Sequence, residues 1–370
     1  METKETSERN YGIEWLRIIS MFMVVLLHIN GLGGILGNSQ NSNLWLISNI
    51  LEALCIIAVN LFALTTGYLY FNKKIKIKNI LNLWLEVFFY SVGLAIVFYA
   101  FKLETFDLKE FLMFCVPIYS KRYWYFKAYF FLFLLMPLLN MVINKTSKKQ
   151  LLSFILIFFI SLMLFCIRGD IINLSGGYTT TWLAFLYLVG GVIGKYKLAM
   201  KIKGKQVRAY VYLLLYLLVV ALSLLCGYFV MQFRGDSQIC ITSYISIFST
   251  LGCVFFFLFF INIKFQPNKF ITFLSKTSFG VYLIHEHSFV RAHCMINRFM
   301  FVLEYNPFVA LLIILGSALA IYLACSLVEF ARQMLFKLCR VNKATTWVDK
   351  KLCDIYDKIK IEEDVNINKD

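Results

Sequence analysis

The first long apolar run of the chain, NYGIEWLRIISMFMVVLLHINGLGG (residues 10–34), carries three ionisable residues, Glu14, Arg17 and His28. On a helix, Arg17 and His28 would lie about 20° apart around the axis and about 16 Å apart along it. Glu14 faces roughly the same way and is close enough to pair with Arg17. A neutral imidazole can accept the proton of an attacking alcohol, and a guanidinium binds phosphates. A snorkelling anchor for Arg17 and a helix–helix hydrogen bond for His28 are the structural alternatives.

The composition indicates that this helix lies in a membrane. Of the 370 residues, 60% are hydrophobic and 17% are aromatic, and the mean hydropathy is +0.72. Soluble globular domains have only about 45–50% apolar residues. Ionisable residues inside a bilayer are costly, so they usually face a cavity that serves a pathway or a site. The net charge of +16 does not indicate nucleic-acid binding, because the basic residues fall in short connections between apolar runs.

Ten apolar runs can be aligned with helices that cross the roughly 30 Å of bilayer hydrocarbon. They cover residues 13–36, 44–71, 79–101, 123–143, 151–168, 181–194, 209–230, 241–263, 277–303 and 307–332. The ninth run is long, and a break near Arg291 is the alternative to one continuous helix. We therefore predict an all-α, polytopic integral membrane protein with about ten transmembrane helices. Residues 106–119 mix apolar with charged side chains, which favours an interfacial or re-entrant segment over a full span.

The distribution of basic residues predicts that both termini are cytoplasmic. With that orientation, the inner connections and termini hold 27 Lys and Arg residues, whereas the outer connections hold eight. The remaining two, Arg17 and Lys127, lie within helices. This asymmetry follows the positive-inside rule, and an odd number of spans would remove it.

The sequence argues against several other kinds of site. The ten cysteines include no CxxC pair and mostly lie in apolar runs, so we expect neither a metal site nor a disulfide framework. Neither a Walker loop nor a dinucleotide fingerprint occurs. No internal repeat is visible, which weakens an interpretation as a transporter built from paired halves.

Five stretches of the sequence occur in a fixed order along the chain. They are IEWLR with ten residues between Arg17 and His28, FALTTGYLY (62–70), YWYFKAYFFLFLLMPLLN (123–140), YLVGGVIGKY (187–196) and LSKTSFGVYLIHEH (274–287). Together they resemble membrane acyltransferase family 3, whose type members are bacterial O-acyltransferases that decorate cell-surface glycans. The resemblance implies an acyltransferase-3-like transmembrane domain over residues 1–340, followed by a short charged cytoplasmic tail over 341–370.

The resemblance also implies an activity and a location. An acyl group, most simply acetyl, would pass from cytoplasmic acyl-coenzyme A to a hydroxyl of an extracytoplasmic cell-surface glycan at the bacterial cytoplasmic membrane. Succinyl transfer is a variant within the same family, and no metal is implied. The expected partners are membrane lipid, the acyl-coenzyme A donor and the glycan acceptor, and a homo-oligomer is compatible with the sequence.

Within this framework His28 is the expected general base, because neutral imidazole can take the alcohol's proton as attack begins. Glu14 is the second expected catalytic residue, since it would orient or neutralise Arg17. A covalent acyl-histidine is an alternative that the sequence leaves open. The residues expected to bind the acyl-coenzyme A donor are Arg17, Thr66, Trp124, Tyr125, Tyr282 and His285.

Two other functions are alternatives to acyl transfer. A transporter or flippase that exports a glycan or small solute also suits a polytopic chain, but it needs no acyl-coenzyme A. A glycan polymerase or ligase usually has larger outer loops than any found here. The polar stretch 168–182 is either an acceptor contact or a solvated loop. In the last motif, Glu286 and His287 stand where many family members have Pro, and we expect His287 and His293 at the outer surface.

Overall fold

The computed structural model describes residues 10–40, 42–119, 123–166, 174–199, 201–202, 205–234 and 243–367. Its helices are α1 (Tyr11–Asn30), α2 (Ile35–Asn38), α3 (Trp45–Cys55), α4 (Ala58–Tyr70), α5 (Ile77–Ala100), α6 (Leu108–Cys115), α7 (Trp124–Lys145), α8 (Lys148–Cys166), α9 (Thr180–Tyr196), α10 (Ala209–Arg234), α11 (Ile247–Ile261), α12 (Lys269–His285), α13 (Ser288–Val290), α14 (Pro307–Leu338) and α15 (Val341–Ile367). Two strands of two residues each, β1 (Lys201–Ile202) and β2 (Lys205–Gln206), form an antiparallel pair. The predicted all-α fold class is therefore confirmed.

Six helical segments in the described ranges are long and apolar enough to cross a membrane. They are Tyr11–Asn30, Trp45–Tyr70, Ile77–Ala100, Trp124–Lys145, Ala209–Phe233 and Pro307–Leu338. The segment Ile247–Ile261 is apolar but shorter. The chain is thus a multi-pass membrane protein, while the number of about ten crossings and the cytoplasmic termini remain predictions.

Local sequence signals determine where several of these helices begin. The side chain of Asn10 accepts a hydrogen bond from Gly12 N at the start of α1, and Asn268 accepts from Phe270 N and Ile271 N at the start of α12. Asn306 caps α14, which also has a proline in its first turn. Such side-chain caps satisfy the amide groups that a helix N-terminus leaves without an intrahelical partner.

The ends of two predicted runs are wrong. The run expected over 13–36 ends as a helix at Asn30, because the chain turns through the glycines that follow and Gly34 adopts φ 90°. The run expected over 277–303 is a helix only over Lys269–His285, after which the chain forms short helical turns. The apolar residues after His285, such as Phe289 and Met295, are buried in this irregular segment rather than in a long helix. The hydropathy of this stretch therefore predicts that its residues are buried, but it does not predict where the helix ends.

Helices α4 and α9 pack most closely. Gly67 on α4 and Gly190 on α9 lie where a β-carbon would overlap the carbonyl oxygens of Tyr187 and Leu64. The two backbones are therefore in direct contact, an arrangement that small residues allow between membrane helices. In this seam Trp182 Nε1 on α9 donates to Asn60 Oδ1 on α4 (2.9 Å). Tyr187 on α9 donates to Asn140 Oδ1 on the neighbouring α7 (2.7 Å).

Helices α1 and α12 run side by side in the same direction. The hydroxyl of Thr272 donates to Glu14 Oε2 (2.7 Å) near their first turns, and the imidazole rings of His28 and His285 meet near their last turns. Residues in the middle of the two helices are therefore aligned, so that Ser275 and Lys276 lie level with Arg17. This parallel pair forms one wall of the site described below.

Two further segments bear on the sequence predictions. Residues 106–119 contain only the eight-residue α6, which spans about 12 Å and is too short to cross a bilayer. The charged tail contains α15, which rests on the first turns of α5. There Asp349 Oδ1 accepts from Lys78 N (3.2 Å), and Thr345 donates to Asn82 Oδ1 (2.9 Å).

Candidate active site

A cavity of about 320 Å³ lies among α1, α4, α7 and α12. Its wall includes six of the eight predicted site residues, which come from all four helices: Arg17, His28, Thr66, Trp124, Tyr125 and Tyr282. The helical spacing that aligned Arg17 with His28 in the sequence thus places both on one internal surface. The motifs around residues 62–70, 123–140 and 274–287 each contribute residues to the same wall.

The two ends of the cavity differ in charge. Arg17 and Lys276 line one end, and Lys276 extends into solvent there. Leu83, near the start of α5, lines the same cavity. The Lys-rich connection between α4 and α5 precedes this helix, so the basic end of the cavity lies on the Lys-rich side of the protein. His28 lies near the opposite end of α1, with Trp124 and Tyr244 on the facing wall.

The contacts of His285 fix the protonation of both imidazole rings. His285 Nδ1 lies within hydrogen-bond distance of the Val281 carbonyl oxygen, and its Nε2 lies 2.9 Å from His28 Nδ1. A carbonyl oxygen can only accept, so His285 Nδ1 must carry a proton, and Nε2 of the neutral ring must accept. His28 Nδ1 is then the donor to His285. It follows that Nε2 of neutral His28 carries the lone pair.

Glu286 is a site residue that the sequence analysis recorded only as a departure from the family pattern. Its Oε1 lies 3.4 Å from His28 Nδ1, and its Oε2 lies 3.4 Å from Arg291 Nη1. Its side chain is buried, so the carboxylate acts on His28 through little water. The signal that could have found it is the stretch Glu286–His287, which departs from the family pattern in which many members have Pro.

Glu14 and His285 are the two predicted residues outside the cavity lining. Glu14 is buried between α1 and α12, where it accepts the hydrogen bond from Thr272, so its catalytic role stays a prediction. His285 stands behind His28 and contacts it directly. Lys276, which precedes the apolar run predicted over 277–303, lies within α12 and lines the cavity.

The expectation that His287 lies at the outer surface is wrong. Its ring is fully buried and stacks on Phe114 at a centroid distance of 5.0 Å, and its Nε2 lies 3.1 Å from the Ser91 carbonyl oxygen. It therefore packs the segment after α12 against α5 and α6. His293 is partly exposed and lies 2.7 Å from Glu104 Oε1.

Hydroxyl groups on the cavity wall can serve a ligand. Thr66 donates to the Phe62 carbonyl in its own helix and lies 3.4 Å from the Tyr129 hydroxyl. The buried hydroxyl of Tyr125 has no hydrogen-bond partner within the described part of the chain. A buried hydroxyl without a protein partner is costly, so a ligand or water at this wall would satisfy it.

Three aromatic rings stand at the His28 end of the cavity. Tyr178 lies over Trp124 at a centroid distance of 4.2 Å and over Tyr244 at 5.2 Å, and Trp124 stacks on Tyr244 at 6.0 Å. Burial raises the pKa of both phenols above its usual value, so both hydroxyls stay protonated at neutral pH. The polar stretch 168–182 is described only from residue 174, and residues 168–173 lie outside the described ranges.

Comparison with known proteins gives one match. The family model described as an acyltransferase domain, acyltransferase family 3, matches residues 10–328. Neither the comparison with curated proteins nor the comparison with solved structures finds a match. The matched region contains every predicted site residue and the whole cavity, and it covers most of the chain. The chain is therefore a membrane acyltransferase that belongs to acyltransferase family 3.

Proposed function

We propose that this protein moves an acyl group, most simply acetyl, from cytoplasmic acyl-coenzyme A to a hydroxyl of an extracytoplasmic cell-surface glycan. The observation that carries the proposal is the contact of His28 Nδ1 with His285 Nε2 beside a cavity with a basic opposite end, from which we infer that His28 Nε2 is free to act as a base. The membrane is the bacterial cytoplasmic membrane, with both termini and the Lys-rich connections on the cytoplasmic side.

The basic end of the cavity suits the donor. Coenzyme A carries several phosphate charges, and Arg17 and Lys276 supply two cations where the cavity meets the Lys-rich side. About 16 Å separates Arg17 from His28 along α1, which is comparable with the length of the thin pantetheine arm. A donor bound in this direction presents its thioester to His28.

The reaction proceeds by attack of the acceptor hydroxyl oxygen on the thioester carbonyl carbon. His28 Nε2 takes the hydroxyl proton, the C–S bond breaks, and the proton passes to the departing thiolate. General base catalysis of this kind contributes roughly 10²–10⁴-fold. The carboxylate of Glu286 lies beside His28 Nδ1 and stabilises the imidazolium that forms. The Tyr125 hydroxyl is a donor available to the tetrahedral oxyanion.

The covalent alternative uses the same nitrogen. His28 Nε2 would attack the thioester itself, expel the thiolate and carry the acyl group to the acceptor. Rapid acid quench of the enzyme with labelled donor, without acceptor, separates the two routes. Label retained on the protein that is absent in His28→Ala favours the acyl-histidine, and unlabelled protein favours direct transfer.

The test is transfer of radiolabelled acetyl from acetyl-coenzyme A to host cell-wall glycan in inside-out membrane vesicles. His28→Ala, expressed at the wild-type level, should lose about 10²–10⁴-fold in rate. His293→Ala is the matched control, because it removes a histidine that pairs with Glu104 outside the cavity. Equal transfer by wild type and His28→Ala would remove His28 from the mechanism. A folded wild type that consumes neither acetyl- nor succinyl-coenzyme A would contradict the proposed function and favour transport.

A further inference from the structure

The aromatic cluster at the His28 end is built by local backbone features. Here the cluster means Trp124, Tyr178 and Tyr244. Trp124 and Tyr244 line the cavity, whereas Tyr178 packs across both and remains 49% exposed. The cluster therefore connects the interior of the cavity with the surface opposite the Lys-rich side.

Two turns hold the tyrosines in place. Gly176 and Gly177 adopt φ of 66° and 103°, a region that favours glycine, and a β-carbon on Gly177 would lie 2.7 Å from Tyr244 Cβ. The chain before α9 thus approaches Tyr244 closely enough to lay Tyr178 on it. The backbone of Tyr244 is itself fixed, because Asn60 Nδ2 donates to its carbonyl (2.8 Å).

Trp124 is positioned from a different part of the chain. The preceding residue, Tyr123, adopts a left-handed conformation with φ 53° and donates its hydroxyl to the Leu283 carbonyl (2.9 Å). This bond ties the start of α7 to α12, two residues before His285. The motif that carries His285 therefore also positions the indole.

An aromatic belt at the lipid boundary does not account for this arrangement. Belt residues direct their rings towards the headgroups. These three rings contact one another, and two of them face an internal cavity that also contains His28. Aromatic side chains with polar tips suit ligands that have one apolar and one polar side.

A pyranose ring has this character. Its axial C–H groups form an apolar face that packs on aromatic rings, and its hydroxyls lie around the edge, where phenol hydroxyls can bond them. We propose that Trp124, Tyr178 and Tyr244 form the subsite for a pyranose ring of the acceptor and direct one of its hydroxyls towards His28. The inference rests on the proposed function, and it gives Trp124 an acceptor contact in place of the donor contact implied by the family resemblance.

The experiment measures acceptor KM and donor KM separately in the vesicle assay, with solubilised host cell-wall glycan and acetyl-coenzyme A. Tyr178→Ala should raise the acceptor KM at least about fivefold, because a lost aromatic contact costs of the order of 1 kcal/mol. Its donor KM should stay within twofold of wild type. Tyr178→Phe keeps the ring and should lie between wild type and Tyr178→Ala. Tyr119→Ala, which removes an 84% exposed tyrosine after α6, is the matched control and should change neither constant.

The outcomes separate this inference from the proposed function. Wild-type transfer together with an unchanged acceptor KM in Tyr178→Ala overturns the subsite alone. A rise in the donor KM instead would assign the cluster to donor binding and would also overturn the acceptor subsite. Absence of transfer and of thioester consumption in wild type contradicts the proposed function itself. If Tyr178→Ala does not fold, Tyr178→Leu retains apolar bulk without an aromatic ring and is expected to raise the acceptor KM in the same way.

Discussion

The seam between α4 and α9 and the cavity among α1, α4, α7 and α12 both place polar side chains in the interior, but they use them differently. In the seam, the amide of Asn60 is bonded to the indole of Trp182, and glycines bring the backbones together. In the cavity lining, the buried Tyr125 hydroxyl has no hydrogen-bond partner within the described residues, and the contacts of His28 leave its Nε2 without a proton. A polar residue in a membrane helix therefore indicates a site only when its side chain has no hydrogen-bond partner within the protein, so that a ligand can supply one.

The largest effect is expected from a substitution that forces α4 and α9 apart. Gly190→Ala places a β-carbon on the Leu64 carbonyl oxygen, and the backbone cannot move away without separating the two helices. We expect a loss of at least about 3 kcal/mol in stability, seen as little or no monodisperse protein after detergent extraction.

Gly93→Ala is the control for this substitution. A β-carbon at Gly93, within α5, meets no atom within 4 Å, so this variant should match or slightly exceed the wild-type melting temperature. A Gly190→Ala protein that is extracted and melts like wild type would show that the two backbones are not held in contact.

A smaller effect is expected from the polar part of the seam. Asn60→Leu leaves the indole N–H of Trp182 and the carbonyl of Tyr244 without their bonds from this amide, which costs about 1–3 kcal/mol. The melting temperature in detergent should fall clearly. Asn144→Leu, at an exposed amide that bonds the Phe71 carbonyl, should change it little because water replaces the bond. Equal falls in the melting temperatures of the two variants would show that the buried amide of Asn60 contributes no more to stability than the exposed amide of Asn144.

On the cavity side, Glu286→Gln tests whether the carboxylate supports His28. The side chain keeps its shape but loses the charge beside Nδ1, so the imidazolium is less stabilised. We expect kcat to fall about tenfold, which corresponds to about 1.4 kcal/mol, while the donor KM stays near wild type. Glu304→Gln, at an exposed residue, should leave kcat unchanged. A loss of folding without a separate kcat effect would make Glu286 a structural residue.

The sequence predicts the parts of the site that depend on one helix or one motif. The 3.6-residue period brings Arg17 and His28 to the same wall, and the family motifs identify Thr66, Trp124, Tyr125 and Tyr282 on its other sides. The shared lining of Arg17 and His28 follows because a helix converts spacing directly into a shared face, while the catalytic and donor-binding roles of these residues stay predictions.

The contributions that the sequence analysis missed depend on how separate elements meet. Lys276 reaches the cavity because α12 begins earlier than its apolar run and runs parallel to α1. Glu286 reaches His28 because the helix ends at His285, and Tyr178 reaches Trp124 because two glycines turn the chain towards Tyr244. Hydropathy and spacing within one helix carry no information on these approaches.

The smallest effect is expected from a substitution that tests whether the basic end of the cavity binds the donor. Lys276→Gln removes one of two cations at the donor end, and its exposed position lets water and salt screen the charge. We expect the KM for acetyl-coenzyme A to rise about threefold with kcat unchanged, and the rise to shrink as the salt concentration increases. Lys269→Gln, at an exposed residue in the first turn of the same helix that does not line the cavity, is the matched control. If both variants raise the donor KM equally, the attraction comes from the general charge of this side of the protein. If only Lys276→Gln does, the cavity end itself binds the anionic part of the donor.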